Sequence, residues 1–186
     1  LILKEVEMKV GTAVAQAAVG VFSVFICMSL SSAQQSKIYN NKILGYQLEY
    51  PSDFKVKTIG SATVFSSPEE DRKFAFPPSV NAIVVDLGES PEDLDAYYKQ
   101  SKDAIERSYG QVTFLEDKKD KLSGVDAYRL VYVTRQKQAD FKFMQIMCIL
   151  KNRAYLLTYT ALQGEQYNKL LKTAQAIIKS FKITAK

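Results

Sequence analysis

The 186-residue sequence contains no histidine. That removes the commonest general base at neutral pH, and with it Ser-His-Asp and Cys-His catalysis and most zinc and copper sites. Cysteine is nearly as scarce, with only Cys27 and Cys148. Cys27 falls in a segment expected to be removed, so Cys148 has no internal disulfide partner. It sits within the apolar run Met144-Gln145-Ile146-Met147-Cys148-Ile149-Leu150. A reactive thiolate would need a nearby cation or a helix N-terminus, and a nucleophile would need a base. Cys148 is therefore read as a small core side chain. Paired carboxylates can hydrolyse glycosides without histidine, but no spacing here sets two of them across a cleft. The chain is read as non-enzymatic.

Charge is missing altogether from residues 11–30. Lys9 precedes that apolar stretch and Ser31-Ser32-Ala33 follows it, the pattern of a secretory signal with small residues at its cleavage position. The expected organisation is upstream residues plus signal peptide over 1–33, a short polar lead-in over 34–42 and one domain over 43–186. Two alternatives stay open. The apolar stretch approaches the roughly 20 residues that span a bilayer and could be kept as an anchor. Lipidation of Cys27 is the other, although Ile26 stands where a small residue normally precedes such a cysteine. Lys4-Glu5-Val6-Glu7 can be encoded by a purine-rich run of the ribosome-binding type, so translation is expected to start at Met8 in a bacterium. The expected location is periplasmic, extracellular or lumenal.

What remains is about 150 residues, one domain's worth and enough for a full core. Setting aside Lys4, Lys9, Glu5 and Glu7 leaves the net charge at +5. Such a surplus suits anionic lipid or an acidic protein face; nucleic acid is set aside because of export. A monomer is expected.

Tyr46, Leu48 and Tyr50 alternate with Gln47 and Glu49, which predicts a half-buried strand over residues 43–50. Pro51-Ser52-Asp53 turns the chain. Further strands are predicted over 62–66, 80–87, 112–116, 125–135, 141–150 and 154–162, with a charged loop over 67–73 and a charged loop or hairpin over 117–124. A helix over 91–109 is marked by Ser90 as N-cap, Pro91 at the first helical position, Asp93 completing a capping-box-like pair and Gly110 closing it. A second helix over 165–179 carries Tyr167, Leu170, Leu171, Ala174, Ile177 and Ile178 on one stripe.

The strands over 141–150 and 154–162 are apolar at odd and even positions alike. An antiparallel sheet with one wet face would alternate apolar with polar, so these strands need cover on both sides. The expected fold is α+β, an α/β/α sandwich whose central antiparallel sheet is covered by helices on both faces.

The order of elements, with Tyr50-Pro51-Ser52-Asp53-Phe54, Phe65-Ser66-Ser67-Pro68, the Gly124 hairpin before Tyr128, Tyr155-Leu156-Leu157-Thr158-Tyr159-Thr160-Ala161 and Ile178-Lys179-Ser180-Phe181-Lys182, resembles the PsbP-like family. That family comprises extrinsic photosystem II proteins and bacterial relatives, DcrB-like proteins among them. The resemblance implies a non-enzymatic domain docking on a membrane complex from the lumenal or periplasmic side. In photosynthetic members docking helps retain calcium and chloride. Their metal-associated histidines have no counterpart here, and only a short segment precedes the first strand.

Three groups of residues are candidates for function. Lys118, Lys119, Lys121, Arg135, Lys137, Lys142, Lys151 and Arg153 fall at predicted turns and tips, where they either form a basic rim for a membrane protein complex or an anionic membrane surface, or serve only as a solvated, solubilising face. Glu69-Glu70-Asp71 and Asp86, Glu89, Glu92, Asp93 and Asp95 are acidic enough for calcium, yet lack the glycine-centred spacing of an EF-hand; no other cofactor is expected. Tyr97, Tyr98, Tyr109, Tyr155, Tyr159 and Tyr167 either line a small-ligand pocket or, as their spacing favours, fill the core.

Overall fold

Apolar residues at consecutive positions make residues 141–162 the middle of a sheet in the computed structural model, which describes residues 35–68, 77–88, 93–136 and 139–184. The elements run β1 (Ser36–Asn41), β2 (Tyr46–Pro51), β3 (Lys55–Ile59), β4 (Ala62–Ser66), β5 (Ser79–Asp86), α1 (Leu94–Tyr109), β6 (Val112–Leu122), β7 (Val125–Gln136), β8 (Ala139–Leu150), β9 (Arg153–Leu162), α2 (Glu165–Ser180) and β10 (Lys182–Ile183). Seven strands form an antiparallel sheet in the order β3-β4-β5-β9-β8-β7-β6, and β1-β2-β10 form a second, smaller antiparallel sheet. The described chain is thus α+β, with two helices and two sheets.

Strand pleating sends alternate side chains of β8 and β9 into two separate apolar clusters. Met144, Ile146, Cys148, Tyr155, Leu157, Tyr159 and Ala161 pack with Tyr167, Ala174, Ile177 and Ile178 of α2 and with Tyr46 and Leu48 of β2. Phe143, Met147 and Leu156 pack instead with Leu130 and Tyr132 of β7 and with Ile105, Tyr97, Tyr98 and Tyr109 of α1. Each cluster draws on one helix. The strand interior is dry at both parities, with Ile146, Met147, Cys148 and Leu157 all at 3% exposure or less.

Several expectations are corrected. Ser36–Asn41, expected as a lead-in, is a strand paired along its length with β2. Lys55–Ile59 is a strand that the sequence pattern did not mark. Both are largely exposed strands, so neither needs the apolar alternation that announces a half-buried one. Of loop and hairpin, the charged stretch before Gly124 is the hairpin, and the strand expected to end at Glu116 runs on: β6 continues to Leu122 and only Ser123 and Gly124 turn, with φ of 54° and 81°. Cross-strand ion pairs, Lys121–Asp126 at 2.8 Å and Arg129–Asp120 at 2.9 Å, let the hairpin carry this charge. A bulge between Phe114 and Glu116 switches the facing of β6, so Phe114 joins the α1 cluster while Glu116 lies beside Arg129.

Asp93 does not act as the third residue of a capping box. It is itself the N-cap of the described helix, extended at φ −69° and ψ 139°, and its side chain makes no cap hydrogen bond. Ser90 and Pro91 lie outside the described residues. At the other end Gly110, at φ 71°, donates its N–H to Glu106 O, as a residue free of the Cβ penalty can. α2 begins after Gly164, and the Oε1 of Gln166 accepts the N–H of Leu162 at 2.7 Å, tying the helix to the end of β9.

Candidate docking surface

Strand registers divide the predicted basic residues between two ends of the sheet. Ala127 opposite Cys148 and Asp86 opposite Arg153 bring the exits of β5 and β8 and the starts of β7 and β9 to one end. Lys151 and Arg153 lie there, with Lys121 just before the Ser123–Gly124 turn. Arg135 and Lys142 lie at the other end, where Gln136 faces Ala139. Lys137 falls outside the described residues.

Most of these cations are already engaged. Lys118 pairs with Glu116 at 3.2 Å, Lys121 with Asp126 at 2.8 Å and Arg135 with Asp140 at 3.6 Å. Lys142 is half-buried with its ammonium 4.5 Å from the Tyr167 ring centroid. Lys119 lies over Tyr128, and the Asp95 carboxylate is the main influence raising its pKa. This belongs to a ladder that fastens α1 to the sheet. Tyr98 stacks on Tyr128 at 4.0 Å, Tyr128 donates to Asp95 at 2.6 Å, Tyr98 donates to Asp117, and Lys102 pairs with Asp117 at 2.7 Å. Burial, and then the hydrogen bond to Asp117, push the Tyr98 phenol well up.

Lys151 and Arg153 stand apart. With Asn40, Lys42, Ile43, Gly45 and Thr184 they line an open basin of about 610 Å³ with no carboxylate among its lining residues. Lys42, Lys151 and Arg153 make no ion pair with another described residue, although the Arg153 guanidinium lies beside the Tyr155 hydroxyl and favours its ionised form. Asp86, opposite Arg153 in register, spends its Oδ1 on the N–H of Gly88 at 2.9 Å.

The loops that present these cations are fixed. Lys151 and Asn152, at φ 52° and 56°, form a two-residue hairpin turn of the kind whose twist matches antiparallel strands. Asn152 tolerates that left-handed backbone and anchors it, accepting from Leu87 N–H at 2.8 Å and donating its side-chain amide to Gly88 O at 3.1 Å. On the other side of the basin, Asn41 Oδ1 accepts the N–H of Leu44 at 2.9 Å, and Thr184 N–H donates to Gly45 O at 2.8 Å.

Lys42 and Ile43 were not foreseen as site residues. Asn40-Asn41-Lys42-Ile43-Leu44-Gly45 carries a turn signal in its asparagines and glycine, but Ile43 reads more readily as the first residue of a strand.

Glu69, Glu70, Asp71, Glu89 and Glu92 lie outside the described residues, Asp86 and Asp95 are engaged as above, and among the described residues no three His, Cys, Asp or Glu side chains converge as a metal cluster. The Cys148 thiol is pushed up to about 12 by burial and is fully enclosed. Tyr155, Tyr159 and Tyr167 are at most 2% exposed, and the space between α2 and the sheet beside Tyr159 is only about 10 Å³, no more than one water needs. These rings fill the core. No described helix is long and apolar enough to cross a membrane.

Fold and surface together define a class: an α+β domain in which Tyr155, Tyr159 and Tyr167 are packed away and Lys42, Lys151 and Arg153 line a basin at one sheet end. Residues 27–183 match the PsbP-like protein family, and the chain belongs to that family. No curated protein matches the sequence. Among solved structures, the chain is similar to cyanobacterial PsbP (CyanoP) of Synechocystis sp. PCC 6803, with 13% identity, 81% of this chain and 93% of that chain covered, and a TM-score of 0.61. It is also similar to LpqN of Mycobacterium tuberculosis, involved in cell envelope biogenesis, at 18% identity, 81% and 91% coverage and a TM-score of 0.60. The Ran-binding protein Mog1p of Saccharomyces cerevisiae follows at 8% identity, 82% and 97% coverage and a TM-score of 0.56. At these identities the likeness is one of fold.

Proposed function

We propose that this chain is an exported, non-catalytic accessory protein that docks on a membrane complex or membrane surface through the Lys42–Lys151–Arg153 end of its sheet. The observation that carries the reading is that basin: three cations with no carboxylate among the lining residues, Lys42 and Lys151 on turns held by backbone and asparagine hydrogen bonds and Arg153 at the start of β9. Charge held on a rigid loop steers and orients a partner without a reactive cleft. The apolar segment over 11–30 and its flanks support export. We read the architecture as an α/β/α sandwich, supported by the two clusters of opposite strand parity, each joined by one helix. Such a body presents surface as its means of acting. Likeness to a Ran-binding protein and to a cell-envelope protein is in keeping with a fold that works by contact.

The test is retention of the exported domain on membranes of its source organism across a salt series. Docking through the basin loses retention steeply between about 0.05 M and about 0.5 M salt, as screened charge contacts do. Retention indifferent to salt, or a soluble small ligand bound in its place, overturns the reading.

A further inference from the structure

We infer that the turn over residues 42–45 is a lipid-insertion tip: Ile43 enters the interface of an anionic bilayer while Lys42, Lys151 and Arg153 meet its headgroup phosphates. The inference rests on the proposed docking function and assigns its partner.

Ile43 is 87% exposed, more than any other large apolar side chain described. Its orientation is not slack. Leu44 packs against the large cluster, Tyr46 is fully buried, and Asn41 and Thr184 lock the backbone on either side. With Leu44 and Tyr46 turned inward, Ile43 is held out in water in the basin of Lys42, Lys151 and Arg153.

The surroundings favour lipid over a folded partner. Stable protein interfaces bury about 800 Å² on each side around an apolar or aromatic centre. This basin offers one aliphatic tip among Asn40, Thr184 and three cations. A fluid anionic interface takes such a tip without a matching pocket, and lysine and arginine stems lie along it with their charges at the phosphates.

The chain has no tryptophan, so Ile43→Trp is a single reporter. In vesicles of phosphatidylcholine with about one-third phosphatidylglycerol, its emission shifts to the blue and becomes shielded from acrylamide; in pure phosphatidylcholine it does neither. In sedimentation with the same anionic vesicles, Ile43→Ser binds about ten-fold more weakly, and Lys42→Gln, Lys151→Gln and Arg153→Gln about five-fold each. Ile59→Ser, at a 59% exposed position on β3, binds as the parent does. Circular dichroism establishes that each variant is folded. Unchanged emission of Ile43→Trp in anionic vesicles, or equal binding of Ile43→Ser and Ile59→Ser, overturns the inference. If source membranes retain the protein in low salt while anionic vesicles do not, the lipid assignment falls and docking on a protein stands. If neither binds, both fall.

Discussion

Ile146 and Met147 are neighbours on β8 that point to opposite sides of the sheet, and both are shut off from water, at 3% and 0% exposure. Ile146 belongs to the cluster that α2 joins and Met147 to the one that α1 joins. β8 lies between β9 and β7, so neither site is at a sheet edge where the neighbours could collapse freely. Truncation of either to alanine removes buried atoms and leaves a cavity, costing about 2–5 kcal/mol. For a domain of this size that lowers Tm by roughly 4–20 °C. Leu115→Ala, at a 54% exposed position on the β6 bulge, serves as the reference and changes stability by no more than about 0.5 kcal/mol. Urea unfolding followed by far-UV circular dichroism measures all three, with the midpoint falling and the slope unchanged for the β8 variants. If either Ile146→Ala or Met147→Ala unfolds with Leu115→Ala, one face of the sheet is not packed and the reasoning fails.

Asn152→Ala forfeits both the tolerance of φ 56° and the hydrogen bond to Gly88 O, and lowers stability by about 1–2 kcal/mol in thermal unfolding. Cys148 resists a disulfide-exchange reagent in the native protein at mildly alkaline pH, because burial holds its thiol near 12, and it reacts fully once the protein is unfolded in urea. Burial opposes ionisation of Asp117, but hydrogen bonds from Lys102 and Tyr98 and the Lys102 charge outweigh it and hold the carboxyl below 3.8. Its contribution to stability is therefore present above the unfolded-state value of 3.8 and is lost as pH falls through the lower folded-state value. The stability gap between wild type and Asp117→Asn narrows over that acid range in urea titrations.

The central strands were legible because their residues have no polar face: Met144, Ile146 and Cys148 at one parity, Phe143 and Met147 at the other. Helix α2 was legible for the related reason that its stripe recurs at helical spacing. What escaped notice lies where the chain does not need a core. The strands β1 and β3 are largely exposed and carry no alternation, and residues 117–124 read equally as loop or hairpin because the end of β6 is charged, its ion pairs lying along and across the hairpin. The proposed docking site was half-visible. Lys151 and Arg153 were named from their turn, but the residues that join them come from the β1–β2 turn, more than a hundred residues away in sequence. Only β10 pairing with β2, and Thr184 closing on Gly45, bring that turn into place. Engagement of Lys121 and Arg135 by neighbouring carboxylates was equally out of view, since it depends on strand register rather than spacing; Lys118 pairs with Glu116 two residues back on the same strand, which only the extended backbone of β6 makes neighbours on one face.

The most direct test of the account compares the two ends of the sheet. The triple variant Lys42→Gln, Lys151→Gln, Arg153→Gln and the double variant Arg135→Gln, Lys142→Gln are sedimented with source membranes in low salt beside the wild type. The account predicts that the triple variant is largely released and that the double variant is retained like the wild type. Release of the double variant with retention of the triple one would contradict it.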